Sequence, residues 1–583
     1  MGHDSGSKRG LEHFLLFGFD STFSYHNVMS SLGLLKKVDI GFLIELWAIF
    51  CCGKNDHIYL AESSTTDGPS EKFCCFPKTT LLWFTAILTA GHCRKEEPSL
   101  RTYSRGLPDI SKFKKKIPNQ GLRRALGSRQ VQLLSMGGVI GVGLFYGAGV
   151  ALKIAGPAVI IDYVIGGLIV AIVMHALGEM TVEEPLAGSF SRFANQAFGE
   201  VFGFLTGGMW WFFWVATVMS ELAAIGLLIQ YWFPAFPPWI PGLIALGLFV
   251  ISNLLSVEVF GEVEFWFAVL KILAIASFIV LGVLVTVMGI NGAGMPNLWS
   301  HGGFLPNGVG GVLQAVSLVV LGYSGVETLA VTAGETGNPT KAIPQAVSNV
   351  SWRIAILYIG SISVMLVAFS WTSLAGRHVS PYVLLFAKAG IPLAATIINI
   401  IIISSGLSSS NTGLYGGSRM LFSLAKDGYL PVALKHLSQF KVPKLSVIIT
   451  GLGMSVGILI TYLAPNSVYV WISSASAFAA IWTWSMILLS EITIRKRKGG
   501  RSASLRYRLR LWPILPVVGL ILLAGMLLAI MTSPLTEVSV WSGVLWLVFL
   551  TGWWFLYSRK HAERNHDELE NVENFVSSRK RMP

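Results

Sequence analysis

Long apolar segments recur through most of this 583-residue chain, and they constrain its fold more than any other feature. A helix of about 20 apolar residues is long enough to cross the roughly 30 Å hydrocarbon core of a bilayer. Twelve segments of this kind occur: 132–152, 157–177, 203–230, 239–257, 265–289, 309–333, 352–374, 391–413, 445–463, 467–491, 512–532 and 539–557. The sequence therefore predicts an all-α membrane protein with twelve transmembrane helices.

Composition supports this fold class over its competitors. Hydrophobic residues make up 53% of the chain and charged residues 13%, whereas soluble proteins are about 25% charged. A transmembrane β-barrel would show weak alternation in segments of about ten residues, and a globular core does not need apolar runs this long. Both alternatives are excluded by the length and continuity of the segments.

The net charge of +13 follows the membrane segments and does not indicate nucleic acid as a partner. Basic residues concentrate in 112–129, before the first segment, in 495–510, after the tenth, and in 559–564, after the last. The loops after the third, fifth, ninth and eleventh segments contain no Lys or Arg. By the positive-inside rule, we predict a multi-pass membrane protein with both termini in the cytoplasm.

The first part of the chain differs from the rest. All five cysteines lie within the first 93 residues, and their adjacent Cys-Cys pairs lack the CxxC spacing of zinc sites. We expect no metal and no cofactor. Residues 1–115 are interpreted as an atypical extension, either disordered or produced by a start assigned upstream of the true one. Residues 116–560 form the twelve-helix domain, and 561–583 form a charged cytoplasmic tail.

The first apolar segment contains GGVIGVGLFYGAG at 137–149, with six glycines in thirteen residues. Each interior glycine costs a helix up to about 1 kcal/mol relative to alanine. Two pairs have the GxxxG spacing of closely packed membrane helices. The alternative is an interrupted helix whose unpaired backbone groups bind a ligand, since a helix N-terminus suits a carboxylate. Glycines outside the two pairs favour the interruption.

A second glycine-containing segment supports the same interpretation. LGYSGVETLAVTAGE at 321–335 places Gly322 and Gly325 in the middle of the sixth apolar segment. The first and sixth segments are equivalent positions in a five-plus-five inverted repeat, an arrangement in which interrupted helices form a binding site near the bilayer midplane. Such a site would bind both charged groups of a zwitterion.

Three charged residues lie within apolar segments: Glu221, Lys271 and Glu327. A charge at the centre of a membrane helix costs at least about 2.5–3.5 kcal/mol, so each residue needs a partner or a function. A neutralised structural pair is one explanation, and proton coupling is the other. Lys271 could hold the place that a sodium ion occupies in related folds. Serines 404, 405 and 408–410 form a polar stripe with Asn411 in the eighth segment. These side chains would either face a cavity or bond to the backbone of their own helix.

Four longer motifs are also present: RRALGSRQVQLLSMGGVIGVGLF, NLLSVEVFGEVEFWFAVLK, AGETGNPTKAIPQAV and NTGLYGGSRMLFSLAKDGYLP. With them the chain resembles, over about 121–560, the amino acid permeases of the amino acid, polyamine and organocation (APC) superfamily, most closely the bacterial amino acid transporter subfamily. The resemblance implies a leucine-transporter-type fold with a 5+5 inverted repeat and broken helices 1 and 6.

The resemblance also implies a function. The chain would be a symporter that takes up an α-amino acid with protons across the plasma membrane by alternating access, and an exchanger or sensor on the same scaffold is the alternative. Its partners would be the amino acid, protons and the lipid bilayer. It would not be an enzyme, and the apolar segments contain no HExxH motif. Which amino acid is carried does not follow from the sequence.

The site residues follow from the same resemblance. The substrate carboxylate would bind the amides of Gly141, Val142 and Gly143. The α-ammonium of the substrate would bind backbone carbonyls of five residues: Val139, Leu321, Gly322, Tyr323 and Ser324. Relatives often have Thr or Ser where this chain has Val142, which puts substrate preference in question.

Proton coupling or gating is assigned by the resemblance to Lys271, Glu221 and Glu327. Lys271 matches the lysine that fills the sodium position in proton-coupled members. The two glutamates match acidic positions that are common across the subfamily, so they do not mark a cationic substrate.

Overall fold

A computed structural model describes eleven parts of the chain: 132, 136–184, 188–255, 257–332, 336, 339–374, 380–390, 392–463, 468–499, 507–532 and 537–561. Every regular element in these ranges is a helix. The predicted extension 1–115, the basic segment 112–129 and the tail after residue 561 lie outside the described residues.

The described part of the chain contains sixteen α-helices. They are α1 Ala148–Ala155, α2 Val159–Glu183, α3 Ser189–Phe198, α4 Glu200–Ile229, α5 Trp239–Leu255, α6 Val257–Val287, α7 Gly308–Leu321, α8 Thr328–Val331, α9 Pro339–Ala368, α10 Trp371–Leu374, α11 Pro381–Lys388, α12 Pro392–Lys426, α13 Lys444–Leu463, α14 Val468–Arg497, α15 Ile514–Thr532 and α16 Glu537–Trp553.

Nine helical runs in these ranges are long and apolar enough to cross a membrane. One of them, Gly143–Glu183, is 41 residues long and contains both α1 and α2, with Gly156 between them at φ +64°. Two further apolar helices are shorter, Trp239–Leu255 and Gly308–Val320. The chain is therefore an all-α protein with many membrane-spanning helices.

Some helices run well past the apolar segments that predicted them. The eighth segment, 391–413, corresponds to α12, which continues to Lys426. The added turns contain Ser418 and Arg419, both buried, and the Arg419 guanidinium lies 3.9 Å from the centre of the Tyr415 ring. Hydropathy identifies the part of a helix that is long and apolar enough to lie in lipid. The added turns of α12 are buried in protein and contain polar residues, so hydropathy did not predict them.

Helix α4 lies at the centre of the bundle and packs against α12, α14, α3 and α13. Its Trp210 and Trp214 are fully buried. Helices on the outside expose large apolar side chains instead, such as Leu248 of α5 and Leu452 of α13, at 61% and 63%. Large apolar side chains on the outside of the bundle can face lipid, while the two tryptophans of α4 pack inside it.

Candidate functional site

The first interruption lies at Ile140 and Gly141, within the glycine-rich segment. A helical turn over 136–139 ends there, and the Gly141 N–H donates to the carbonyl of Val139, 2.9 Å away and only two residues back. A continuous α-helix pairs residues four apart. A π-helical turn, Gly143–Gly147, then leads into α1. The backbone thus leaves α-helical hydrogen bonding in the middle of an apolar segment.

Close packing and interruption both explain the glycines here. A Cβ at Gly137 would lie 2.6 Å from Oε1 of Glu264, and one at Gly138 would lie 2.9 Å from Cγ2 of Thr412. At Gly141 a Cβ would overlap the carboxylate of Glu221. Because α4, α6 and α12 each approach a different glycine, a single packing seam would not account for all of them.

The second interruption separates α7 from α8. Helix α7 ends at Leu321, and turns occupy 322–327 before α8 begins at Thr328. Gly325 has φ +102°, a conformation that residues with a Cβ rarely adopt. A Cβ at Gly325 would also lie 3.2 Å from the carbonyl oxygen of Gly138. The glycine therefore permits both the turn and the approach of the first interruption.

The two interruptions face each other. A Cβ at Gly143 would lie 3.6 Å from Cα of Gly322. The Tyr358 hydroxyl of α9 lies 2.8 Å from the carbonyl oxygen of Gly322 and 3.1 Å from that of Val139. A phenol has one proton, so it donates to one of these carbonyls at a time and the other keeps an unused acceptor.

A carboxylate already lies at the first interruption. The Val142 N–H donates to both oxygens of Glu221, 3.1 Å from Oε1 and 2.9 Å from Oε2. Glu221 belongs to α4 and is buried. Its carboxylate therefore occupies the backbone amide that the family resemblance assigns to a substrate carboxylate. The Val142 side chain points elsewhere, toward Gly406, where a Cβ would lie 2.6 Å from its Cγ2.

Lys271 supports the opposite side of the same interruption. Its Nζ donates to the carbonyl oxygen of Gly137 at 2.5 Å, and the side chain is fully buried. The carboxylates of Glu264 and Glu221 both attract this ammonium. Ser408 of α12 donates to Glu264. A buried ammonium is thus compensated by two carboxylates and a backbone carbonyl.

Glu327 belongs to the second interruption. The indole N–H groups of Trp210 and Trp484 donate to its two oxygens at 2.9 and 3.2 Å. The backbone N–H of Gly325 adds a bond of 3.2 Å to Oε2. Three donors therefore hold this carboxylate, which joins α4 and α14 to the turn between α7 and α8.

The remaining predicted residues of the second interruption lie beside it. Leu321 is the last residue of α7. The Tyr323 hydroxyl donates to the carbonyl of Tyr163 in α2 at 2.8 Å, and Ser324 donates to the carbonyl of Val320 at 3.2 Å. The side chains of Tyr323 and Ser324 thus bond to neighbouring helix backbone, which leaves backbone groups to face the first interruption.

The predicted serine stripe of α12 reaches the first interruption in part. Ser405 donates to the Ile140 carbonyl at 2.7 Å, and Ser409 lies 3.4 Å from the Gly138 carbonyl. Ser404 bonds to its own helix, at the Ile401 carbonyl. Two serines of the stripe therefore contact backbone carbonyls at the first interruption.

Two residues of the site were missed from the sequence. Glu264 lies seven residues before Lys271 on α6, a spacing that puts two residues on one helix face, so this signal was present in the sequence. Tyr358 lies in an apolar segment. Nothing in the local sequence indicates that its hydroxyl contacts backbone carbonyls of two other segments.

A second buried charge cluster lies at the far end of α2. Arg495 of α14 contacts Glu179 at 2.9 Å and Glu491 at 3.5 Å. The Leu509 N–H also donates to Glu179, at 2.6 Å, and the Arg495 guanidinium lies 4.8 Å from the Trp512 ring centre. This cluster ties α2 to α14 and to the segment before α15.

Comparisons with known proteins identify the family of this chain. The sequence profile of the amino acid permease family matches residues 130–566. The uncharacterized amino acid permease YtnA of Bacillus subtilis is 42% identical over 436 residues, which cover 74% of this chain and 94% of YtnA. The probable threonine/serine transporter YbxG of the same organism is 37% identical, covering 78% and 100% of the two chains.

A third relative comes from Escherichia coli K12. The aromatic amino acid transport protein AroP is 37% identical over 444 residues, which cover 76% of this chain and 97% of AroP. The match to the family extends over both interruptions and over every charged residue described around them. The chain therefore belongs to the amino acid permease family, whose members are membrane transporters and not enzymes.

Proposed function

We propose that this permease is a proton-coupled symporter, which takes up an α-amino acid across the plasma membrane by alternating access. The observation that carries the proposal is the pair of hydrogen bonds from the Val142 N–H to the carboxylate of Glu221. An anion already held at the meeting point of two interrupted helices supports an anion site there, and a titratable anion supports coupling to protons.

The proposed topology has twelve crossings, a five-plus-five inverted repeat and both termini in the cytoplasm. The two interruptions fall in the first and sixth predicted segments, the equivalent positions of such a repeat. The distribution of basic residues between the loops supports the orientation.

The proposed substrate site uses backbone groups for both ends of the amino acid. The carbonyls of Val139 and Gly322 share the single hydroxyl proton of Tyr358, so an α-ammonium with three donors would satisfy both better. Carbonyls of Leu321, Tyr323 and Ser324 are further candidates. The substrate carboxylate would take the amides of Gly141, Val142 and Gly143, at the start of the second half of the broken helix. For this, the Gly141 N–H would leave the Val139 carbonyl and the Val142 N–H would leave Glu221.

Glu221 couples the proton to the substrate in this proposal. While it is ionised, it holds the Val142 N–H and repels a second carboxylate. Protonation removes the charge and weakens the bond, because hydrogen bonds to ionised acceptors are roughly twice as strong as neutral ones. The amide then becomes available to the substrate. A proton and an amino acid therefore bind together more favourably than either alone.

Lys271 is proposed to act as the internal cation of the transporter. Its ammonium holds the Gly137 carbonyl where sodium-dependent relatives of the fold would place a metal ion. Glu264 and Ser408 keep it oriented from α6 and α12. The charge of Lys271 also acts on Glu221. A change in the protonation of Lys271 would therefore alter the strength of the hydrogen bond from the Val142 N–H to Glu221. Glu327, held by two indoles, is proposed to gate the second interruption.

A neutral substrate fits this arrangement best. Glu327 is occupied by three N–H donors and Glu221 by a backbone amide, so neither carboxylate is left to pair with a cationic side chain. The names of YbxG and AroP refer to threonine, serine and aromatic amino acids, all of which have uncharged side chains.

The test is uptake into proteoliposomes of the purified protein. We expect accumulation of a labelled neutral amino acid when the outside is more acidic than the lumen, and its loss when a protonophore collapses the gradient. A competition series of the twenty amino acids would define the substrate. Uptake that does not depend on the pH gradient and requires amino acid inside the vesicles would instead identify an exchanger. Substrate binding without transport would identify a sensor.

A further inference from the structure

A groove that the transport site does not use lies on the outside of the bundle. It is bounded by α2, by α9 at Ser348, by the segment 507–510 and by the start of α15. Its volume is about 610 Å³, well above that of a single water-sized void. None of the described residues that line it is acidic.

One part of the groove is apolar. Leu168, Ala171 and Ile172 of α2 line it, with Leu515 of α15 opposite. Leu168 is 47% exposed, as expected of a side chain that faces lipid. From Leu168 to His175 the helix rises by about 10 Å, which is the length over which an acyl chain would contact this wall.

The other part of the groove is basic and rich in donors. Arg508 and Arg510 line it and are both exposed. The Tyr507 hydroxyl is buried and has no hydrogen-bond partner among the described residues. Its ring stacks on His175, with centroids 6.1 Å apart. His175 uses Nδ1 for the Ala171 carbonyl at 2.7 Å, so Nε2 is the ring nitrogen left to face a ligand.

We propose that this groove binds an anionic phospholipid of the cytoplasmic leaflet. The phosphate would be held by Arg508 and Arg510, with the Tyr507 hydroxyl as a third donor, and an acyl chain would lie along Leu168 and Ala171. The location in the cytoplasmic leaflet rests on the proposed topology.

Charge and shape together select this ligand. The arginine guanidinium presents paired donors that match phosphate oxygens, and basic pockets at the cytoplasmic ends of membrane helices suit anionic headgroups. A free phosphate ion would leave the apolar wall without a partner, while an acyl chain alone would make no use of the two arginines and the hydroxyl.

Lipid occupancy would also bear on the buried charge cluster next to the groove. Leu509, between the two arginines, donates its N–H to Glu179. A phosphate that bridges Arg508 and Arg510 would hold this segment in the position where it contacts Glu179 and α14.

Lipid retention of the full-length protein tests the proposal without measuring transport. The purified protein is exchanged into detergent with equal amounts of phosphatidylglycerol and phosphatidylcholine, and bound lipid is counted by native mass spectrometry. We expect preferential retention of phosphatidylglycerol. The variant Arg508→Gln/Arg510→Gln should retain roughly 30-fold less, because each basic residue at an anionic surface contributes about 1 kcal/mol and about 1.4 kcal/mol corresponds to a tenfold change. Lys435→Gln/Lys444→Gln removes two exposed positive charges elsewhere and should change nothing.

A second variant tests the apolar wall. Ala171→Phe keeps every charge and fills the groove, so it should also lower phosphatidylglycerol retention. Equal retention of the two lipids by the wild type, or unchanged retention in the arginine variant, would overturn the proposal. Displacement of phosphatidylglycerol by millimolar inorganic phosphate would assign the site to a free anion instead. Because transport is not the readout, failure here leaves the proposed symport unaffected.

Discussion

The backbone N–H of Val142 donates to the carboxylate of Glu221, although the two residues are 79 positions apart and belong to different apolar segments. Val142 follows the break in the first segment, and Glu221 projects from the central helix α4. The carboxylate therefore occupies the amide that we propose for the substrate carboxylate. In the proposed mechanism, the substrate binds this amide only after Glu221 has released it.

This arrangement predicts how substrate affinity depends on pH. In the wild type, affinity should rise as the pH falls, because protonation of Glu221 releases the Val142 amide. In Glu221→Gln the side chain is permanently neutral, so affinity should stay near the wild-type low-pH value across the whole range. Substrate-induced thermal stabilisation between pH 5 and pH 8 measures this.

Glu262→Gln is the matched control, since Glu262 is exposed and lies on α6. It should keep the pH dependence of the wild type. A Glu221→Gln protein whose affinity still rises as the pH falls would show that another group takes up the coupled proton.

Replacing Lys271 should separate binding from proton coupling. Lys271→Met removes the donor to the Gly137 carbonyl and leaves Glu264 buried without its cation, so accumulation driven by a pH gradient should fall at least about tenfold. Exchange of labelled for unlabelled amino acid should decline less, because it needs no net proton movement. Wild-type accumulation by this variant in proteoliposomes would reject the role of Lys271.

The sequence predicted the helical class of the fold and the positions of both interruptions for one physical reason. Lipid offers no hydrogen-bond partners, so apolar segments must be helical, and glycines that weaken a helix there stand out. The extension of α12 to Lys426 was not predicted, because turns buried in protein carry polar residues such as Ser418 that hydropathy counts as loop.

The side chains around the interruptions were predictable where a charged or polar residue stood out against an apolar background. Glu221, Lys271 and Glu327 were recognised in this way, and all three contact the interruptions. Which backbone group each one meets depends on helix packing, so the bond from Val142 to Glu221 had no local signal. Tyr358 was missed for the same reason.

Gly141 provides a steric test of the site. Any Cβ at this position would overlap the Glu221 carboxylate and lie 3.1 Å from Oγ of Ser409, so Gly141→Val should abolish measurable substrate binding. Gly247→Val is the control, because a Cβ at Gly247 would meet nothing within 4 Å. Binding measured by isothermal titration should be unchanged in the control. Unaltered affinity in Gly141→Val would place the substrate elsewhere.

The buried cluster around Arg495 predicts a stability effect rather than a binding effect. Arg495→Gln leaves Glu179 and Glu491 without their cation, and breaking a buried ion pair by removing one partner costs about 3–5 kcal/mol. The melting temperature of the detergent-solubilised protein should fall clearly, while substrate still stabilises it. Glu179→Gln/Arg495→Gln removes one charge of each sign and should recover part of the loss, since only Glu491 then lacks a partner. The decrease in stability of the double variant is compared with the summed decreases of Glu179→Gln and Arg495→Gln. If the two values are equal, the Glu179–Arg495 contact contributes no coupling energy, and this contact does not hold α2 against α14.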